Sequence, residues 1–163
     1  MREELEVYFR LLGRPTPDLH RVGYPKLDRI YRHHQEYRKS HPEVPTVVIA
    51  PSWGKNNALE VCGITLVRKL LDAGLRVVVR PHPCFFLPIY KDGQKIVNAI
   101  EKQFAAHANF VLEKSINTED SFHEADVMIC DWSGSASEYT LATARPVLFI
   151  DVPYKVRNPE WRK

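Results

Sequence analysis

From residue 46 onward, short runs rich in valine and isoleucine alternate with longer stretches whose apolar residues recur at helical spacing. This alternation restricts the fold more than any other feature of the chain. The apolar runs predict strands at 46–50, 75–79, 110–112, 127–130 and 147–150, and the stretches between them predict helices at 58–73, 94–106, 118–124 and 136–144. Runs apolar on both sides belong in a parallel sheet covered on both faces, and right-handed crossovers put the helices there. The expectation is an α/β, Rossmann-like parallel sheet.

Local signals place the helix ends. Asn57 can cap the first of these helices with Glu60 three residues later, and Gly74 suits its carboxyl end. Leu59, Cys62, Leu66, Leu70 and Ala73 form its expected inner face. Asp92 is the expected cap of the next helix, whose inner residues are Ile96, Val97, Ile100 and Phe104, and Thr118 that of the one after. Pro146 ends the last. Residues 1–45 predict two helices, at 3–12 and 26–37, followed by a linker, and read as a partial segment before a nucleotide-binding domain at 46–163. On the second, the neighbours His33 and His34 point in different directions, which predicts a solvated face rather than a metal pair. His20, His107 and His123 lie away from the strand ends.

In parallel sheets of this kind ligands bind beyond the carboxyl ends of the strands. Three loops meet there. The first carries Ser52, Trp53, Gly54, Lys55 and Asn56: a flexible backbone, a cation and an amide, without the spacing of a Walker sequence. It also reads as a plain strand-to-helix turn. The second is Arg80-Pro81-His82-Pro83, in which two prolines fix the backbone around a histidine. A charged arginine and a histidine directly after a buried strand are hard to explain as packing. The third, Asp131 to Ser135, leads from a strand into a helix. Free backbone N–H groups and the positive end of the helix dipole meet there, as an anion site requires. Ser135 with Glu138 has capping-box spacing, which accounts for both residues as a helix end; the two readings are compatible. Asp131 could orient its loop, and Glu138 could reach a ribose diol.

A net charge of +3 and a pI near 8.8 suit anionic small molecules or a membrane surface, and are too weak to argue for nucleic acid. No apolar run approaches the ~20 residues of a membrane span, and the polar, acidic start Met1-Arg2-Glu3-Glu4 is not a signal peptide. Three cysteines without Cys-x-x-Cys spacing predict free thiols in a reducing cytoplasm. Asp and His spacings match no metal-ligand set.

The combination of motifs resembles the CDP-glycerol glycerophosphotransferase family of teichoic-acid and capsule polymerases. The residues that carry the likeness are Arg80, His82 and Pro83; Asp131, Ser133, Gly134 and Glu138; the strand Arg145-Pro146-Val147-Leu148-Phe149; and the stretch from Val22 to Asp28, which contains Gly23-Tyr24-Pro25. Trp132 stands where the family usually has Tyr, Gly134 for a second Ser, and Glu138 for Asp. The resemblance implies the donor-binding, carboxyl-terminal half of a GT-B-type enzyme, using a nucleotide-activated donor and no cofactor. It implies transfer of glycerol phosphate to a polymer acceptor, the acceptor and its catalytic base being held by an amino-terminal half beyond this chain. The implied catalytic residues are His82 and Arg80, and the implied donor-binding residues are Ser133, Gly134, Ser135, Glu138, Asp131, Ser52 and Lys55. A cytoplasmic protein, peripheral on the inner membrane face in its full length, follows as an expectation. A sugar-nucleotide transferase or epimerase of the same fold, and a nucleotide-binding module without catalysis, are the alternatives.

Overall fold

A computed structural model describes residues 2–88, 90–115, 119–153 and 155. The elements run α1 (Arg2–Leu11), α2 (Pro25–Glu36), β1 (Thr46–Ile49), α3 (Ala58–Asp72), β2 (Arg76–Val79), α4 (Lys91–Phe104), β3 (Phe110–Leu112), α5 (Asp120–Glu124), β4 (Val127–Cys130), α6 (Ser135–Thr143) and β5 (Val147–Phe149). All four strand pairings are parallel, and the spatial order is β3-β2-β1-β4-β5. The expected strands are all present.

Side chains alternate across β1 and β2. Val47, Ile49, Val77 and Val79 join a core with α3 and α4, whereas Val48 and Val78 join a second core with α2, α5 and α6. The helices therefore cover both faces. α2 belongs to this body: Ile30 is 1% exposed in the second core. Nothing on α1 is buried.

Asn57 caps α3 as expected, its Oδ1 accepting the N–H groups of Leu59 and Glu60, and Gly74 follows α3 with φ +77°. The inner face of α3 is displaced by one position from the expected stripe, to Leu59, Gly63, Val67 and Leu71. Gly63 decides this. A Cβ there would lie 3.2 Å from Ile100 on α4, so the bare backbone lets the two helices approach closely.

Asp92 does not cap α4, which begins one residue earlier at Lys91; it pairs with Lys95 at 3.1 Å instead. Tyr90 takes the position before the helix because its hydroxyl is already bound to the Gly54 carbonyl at 2.6 Å and to Glu60. Gly93 then packs under the Tyr90 ring, where a Cβ would meet ring carbon at 2.3 Å. Gly93→Ala is expected to destabilise the chain by about 1–2 kcal/mol, overpacking outweighing the helix preference of alanine. A urea midpoint equal to that of the wild type would show that Tyr90 yields freely. The expected cap Thr118 lies outside the described residues.

His33 stays exposed, as a solvated face requires, while His34 is half-buried. Docking of α2 brings both rings onto His123 of α5: the His33 and His123 centroids are 4.5 Å apart, and the Nδ1 atoms of His34 and His123 are 3.2 Å apart.

Candidate functional site

The strand order reverses between β1 and β4, so the loops after these strands diverge at the carboxyl edge of the sheet, where a crevice forms. A polar pocket of about 330 Å³ opens there on the α2, α5 and α6 side. Ala50 and Pro51 form its wall after β1, and residues 80–83 its wall after β2. Ser135 and Glu138 face them from α6, and Lys26 and Arg29 from α2.

The α6 end of the pocket is the amino end of that helix. Gly134 occupies the cap position and makes no side-chain cap bond. The capping box expected of Ser135 and Glu138 does not form. Glu138 reaches away from the helix end to α2, accepting Lys26 Nζ at 2.7 and 2.9 Å and the Tyr24 hydroxyl. The Ser135 N–H donates to Ser133 Oγ at 3.3 Å. The Ala136 N–H is also taken, by the Ser133 carbonyl at 3.2 Å, so what the first turn of α6 offers a ligand is its dipole and the amides that Ser133 does not engage.

His82 Nδ1 accepts the backbone N–H of Cys84 at 3.2 Å, capping a 3-10 turn over Pro83–Phe86. That bond assigns the tautomer: the neutral ring carries its proton on Nε2 and can donate it. Burial pushes the His82 pKa below the ordinary imidazole value. Arg80 is held rather than mobile. It donates to Glu113 at 2.7 Å, and its guanidinium stands 5.1 Å over the Phe122 ring.

Asp131 is brought to the rim but does not line the pocket. It is 1% exposed, and its two oxygens accept the N–H groups of Ser52 at 2.6 Å and Ala58 at 2.7 Å. It therefore supplies an internal anion to the amino end of α3 and ties the β4 end to the β1 loop. Ser52 is buried in the same knot, where its hydroxyl accepts Lys155 Nζ. Lys55 is exposed and away from the pocket, because Gly54 at φ +89° and Asn56 at φ +56° turn the loop outward.

Sequence reasoning missed Arg29 and Glu119, an ion pair at 2.7 Å on the pocket wall, and Lys155, which lies 3.9 Å from Asp131. Lys26 and Tyr24 were legible only as part of the stretch around Gly23-Tyr24-Pro25. Their partner Glu138 lies more than a hundred residues on.

Comparison with solved structures finds a similar fold in part of the wall teichoic acid polymerase TagF. The chain shares its fold. A histidine-to-asparagine variant of TagF superposes with TM-score 0.53 at 18% identity, and the same variant soaked with CDPG with 0.52 at 20%. A histidine-to-alanine variant gives 0.51 at 19%. Each comparison covers 91% of this chain and 37% of the polymerase, so the chain spans little more than a third of the neighbour's length. No protein-family model and no curated protein matches it. Among the described residues, no helix is long and apolar enough to cross a membrane.

Proposed function

We propose that this chain is the nucleotide-binding part of a glycerophosphotransferase that uses CDP-glycerol in the synthesis of a cell-surface polymer. The observation that carries the reading is the pocket itself, which the first turn of α6 and His82 line together with Lys26, Arg29 and Arg80. A diphosphate meets complementary groups there. Its oxygens take the α6 amides, and Lys26 turns from Glu138 to the phosphate, which releases the Glu138 carboxylate to the ribose hydroxyls.

In the reaction, the acceptor hydroxyl oxygen attacks the phosphorus that bears glycerol. Its proton passes to a base outside this chain, and the bond from that phosphorus to the bridging oxygen breaks as CMP leaves. The site's work is to stabilise the charge gathering on the phosphoryl and leaving oxygens. His82, neutral and donating from Nε2, serves the departing oxygen. Arg80, oriented by Glu113, holds its charge against the phosphates. Asp131 and Ser52 act at one remove, by fixing the loop between β1 and α3.

Calorimetric titration with CDP, CMP and UDP tests the reading. CDP is expected to bind the wild type, and Ser135→Val, which crowds the α6 amides, to weaken it about tenfold, the worth of one charge-assisted hydrogen bond. Equal CDP affinity for both proteins would remove the phosphate site, and a preference for UDP would favour the sugar-nucleotide transferase. In an enzyme containing the acceptor half, His82→Ala should lower turnover by about 10²-fold or more with folding unchanged. A falling melting temperature with normal turnover would make His82 only a cap of the 3-10 turn.

A further inference from the structure

The polar residues that line the nucleotide pocket on its helical side follow one another in space. Ser135 and Glu138 stand about one turn apart on α6, a step of about 5–6 Å. Glu138 accepts Lys26 Nζ at 2.7 Å, which carries the line across to α2. Arg29 lies about one turn on from Lys26 along α2, and its Nη2 donates to Glu119 Oε1 at 2.7 Å. The amino end of α6, the Glu138 carboxylate and the Arg29–Glu119 pair are therefore three successive positions along one pocket. A nucleotide has three parts in the same succession: phosphate, ribose and base.

The pair at the far end is not explained by the fold. Glu119 occupies the cap position of α5, yet its side chain makes no cap bond. Its side chain is only 13% exposed, against 60% for Arg29, so the carboxylate is the fixed member. Among the described residues one bond joins the two, which leaves Glu119 Oε2 and the other guanidinium N–H groups for a ligand. A carboxylate oxygen beside two guanidinium N–H groups presents acceptor, donor, donor. Cytosine carries the complementary edge, an amino donor followed by the N3 and O2 acceptors. Uracil turns O4 toward the carboxylate and N3–H toward the guanidinium, so both contacts set like against like.

We propose that Arg29 and Glu119 read the base of the nucleotide and select cytosine over uracil. The proposal rests on the phosphate and ribose placement given above. Glu119 Oε2 accepts the amino N–H of the base, while Arg29 donates to N3 and O2 and keeps its bond to Oε1.

The test is calorimetric titration of the whole chain with CDP and with UDP, which differ only at this edge. The wild type is expected to prefer CDP at least about tenfold, the discrimination of one well-placed polar pair. Glu119→Ala, which removes no cap bond, should weaken CDP about tenfold and leave UDP unchanged or tighter, closing the ratio. Arg29→Ala, at an exposed position of α2, should narrow it as well. Ser135→Val acts at the phosphate end and should weaken both nucleotides alike, with the ratio kept. Equal affinities in the wild type, tighter UDP, or a ratio that Glu119→Ala and Arg29→Ala both leave intact would overturn the base assignment and leave the phosphate site standing. No binding of either nucleotide would overturn the nucleotide reading and this assignment with it.

Discussion

Asp131→Ala is expected to unfold the chain more easily by about 3–5 kcal/mol, the range for removing one partner from a buried charged network. The carboxylate is the acceptor of two backbone N–H groups, those of Ser52 and Ala58, which come from the loop and the first turn that follow β1. Both bonds are buried, so water does not replace the lost oxygens cheaply. Lys155, 3.9 Å away, would lose its counter-charge as well. Asp131→Asn should recover only part of the loss, since an amide offers one acceptor and turns two donors toward a site built for a carboxylate. Urea unfolding followed by circular dichroism measures the change. An alanine variant with an unaltered midpoint but no affinity for CDP would place Asp131 at the ligand instead, as the family resemblance implies.

The second large effect is a loss of stability in mild acid, centred on His123. Its ring is 0% exposed, and its Nε2 has no hydrogen-bond partner. His34 faces it at Nδ1, His33 and Tyr37 pack on it, and Arg145 binds its carbonyl at 2.7 Å. Burial, with the neighbouring His33, His34 and Arg145, pushes its pKa from the ordinary 6.5 down to about 4. The unfolded chain therefore takes up a proton near pH 6.5 that the folded chain refuses until about pH 4. Stability from this group is complete above pH 6.5 and falls as the pH drops toward 4, by on the order of 3 kcal/mol. It levels off below. His34, whose pKa burial also lowers, acts in the same direction. The carboxylates of Glu124 and Asp126 enter only in more acid solution: burial alone would raise their pKa values, and the hydrogen bonds from Ser40 and Lys39 outweigh it. Urea midpoints measured from pH 7.5 to 4.5 should show a slope that His123→Phe largely removes. The same slope in both proteins would assign the acid loss elsewhere.

The element order was legible in the sequence because its signals act over a few residues. The valine runs of β1 and β2 can be buried on both sides only within a covered parallel sheet, and Asn57 and Gly74 mark the ends of α3 through bonds and backbone angles that their immediate neighbours complete. The three rim loops followed from that order alone, and each lends a residue to the pocket: Pro51, His82 and Ser135. The lateral sequence β3-β2-β1-β4-β5 and the docking of α2 were decided by tertiary packing. So were the partners of the charged side chains. Glu138 had a plausible local role beside Ser135 and took Lys26 and Tyr24 instead, once α2 had packed against α6. Asp131 could orient its loop or meet a ligand, and the loop after β1, folding onto it, gave it the first role. A hydrogen bond within one helical turn is set by covalent reach, and a neighbouring stretch of sequence reveals it. A long polar side chain chooses among every partner that folding brings within about 3 Å, and that choice exists only when the distant elements have met.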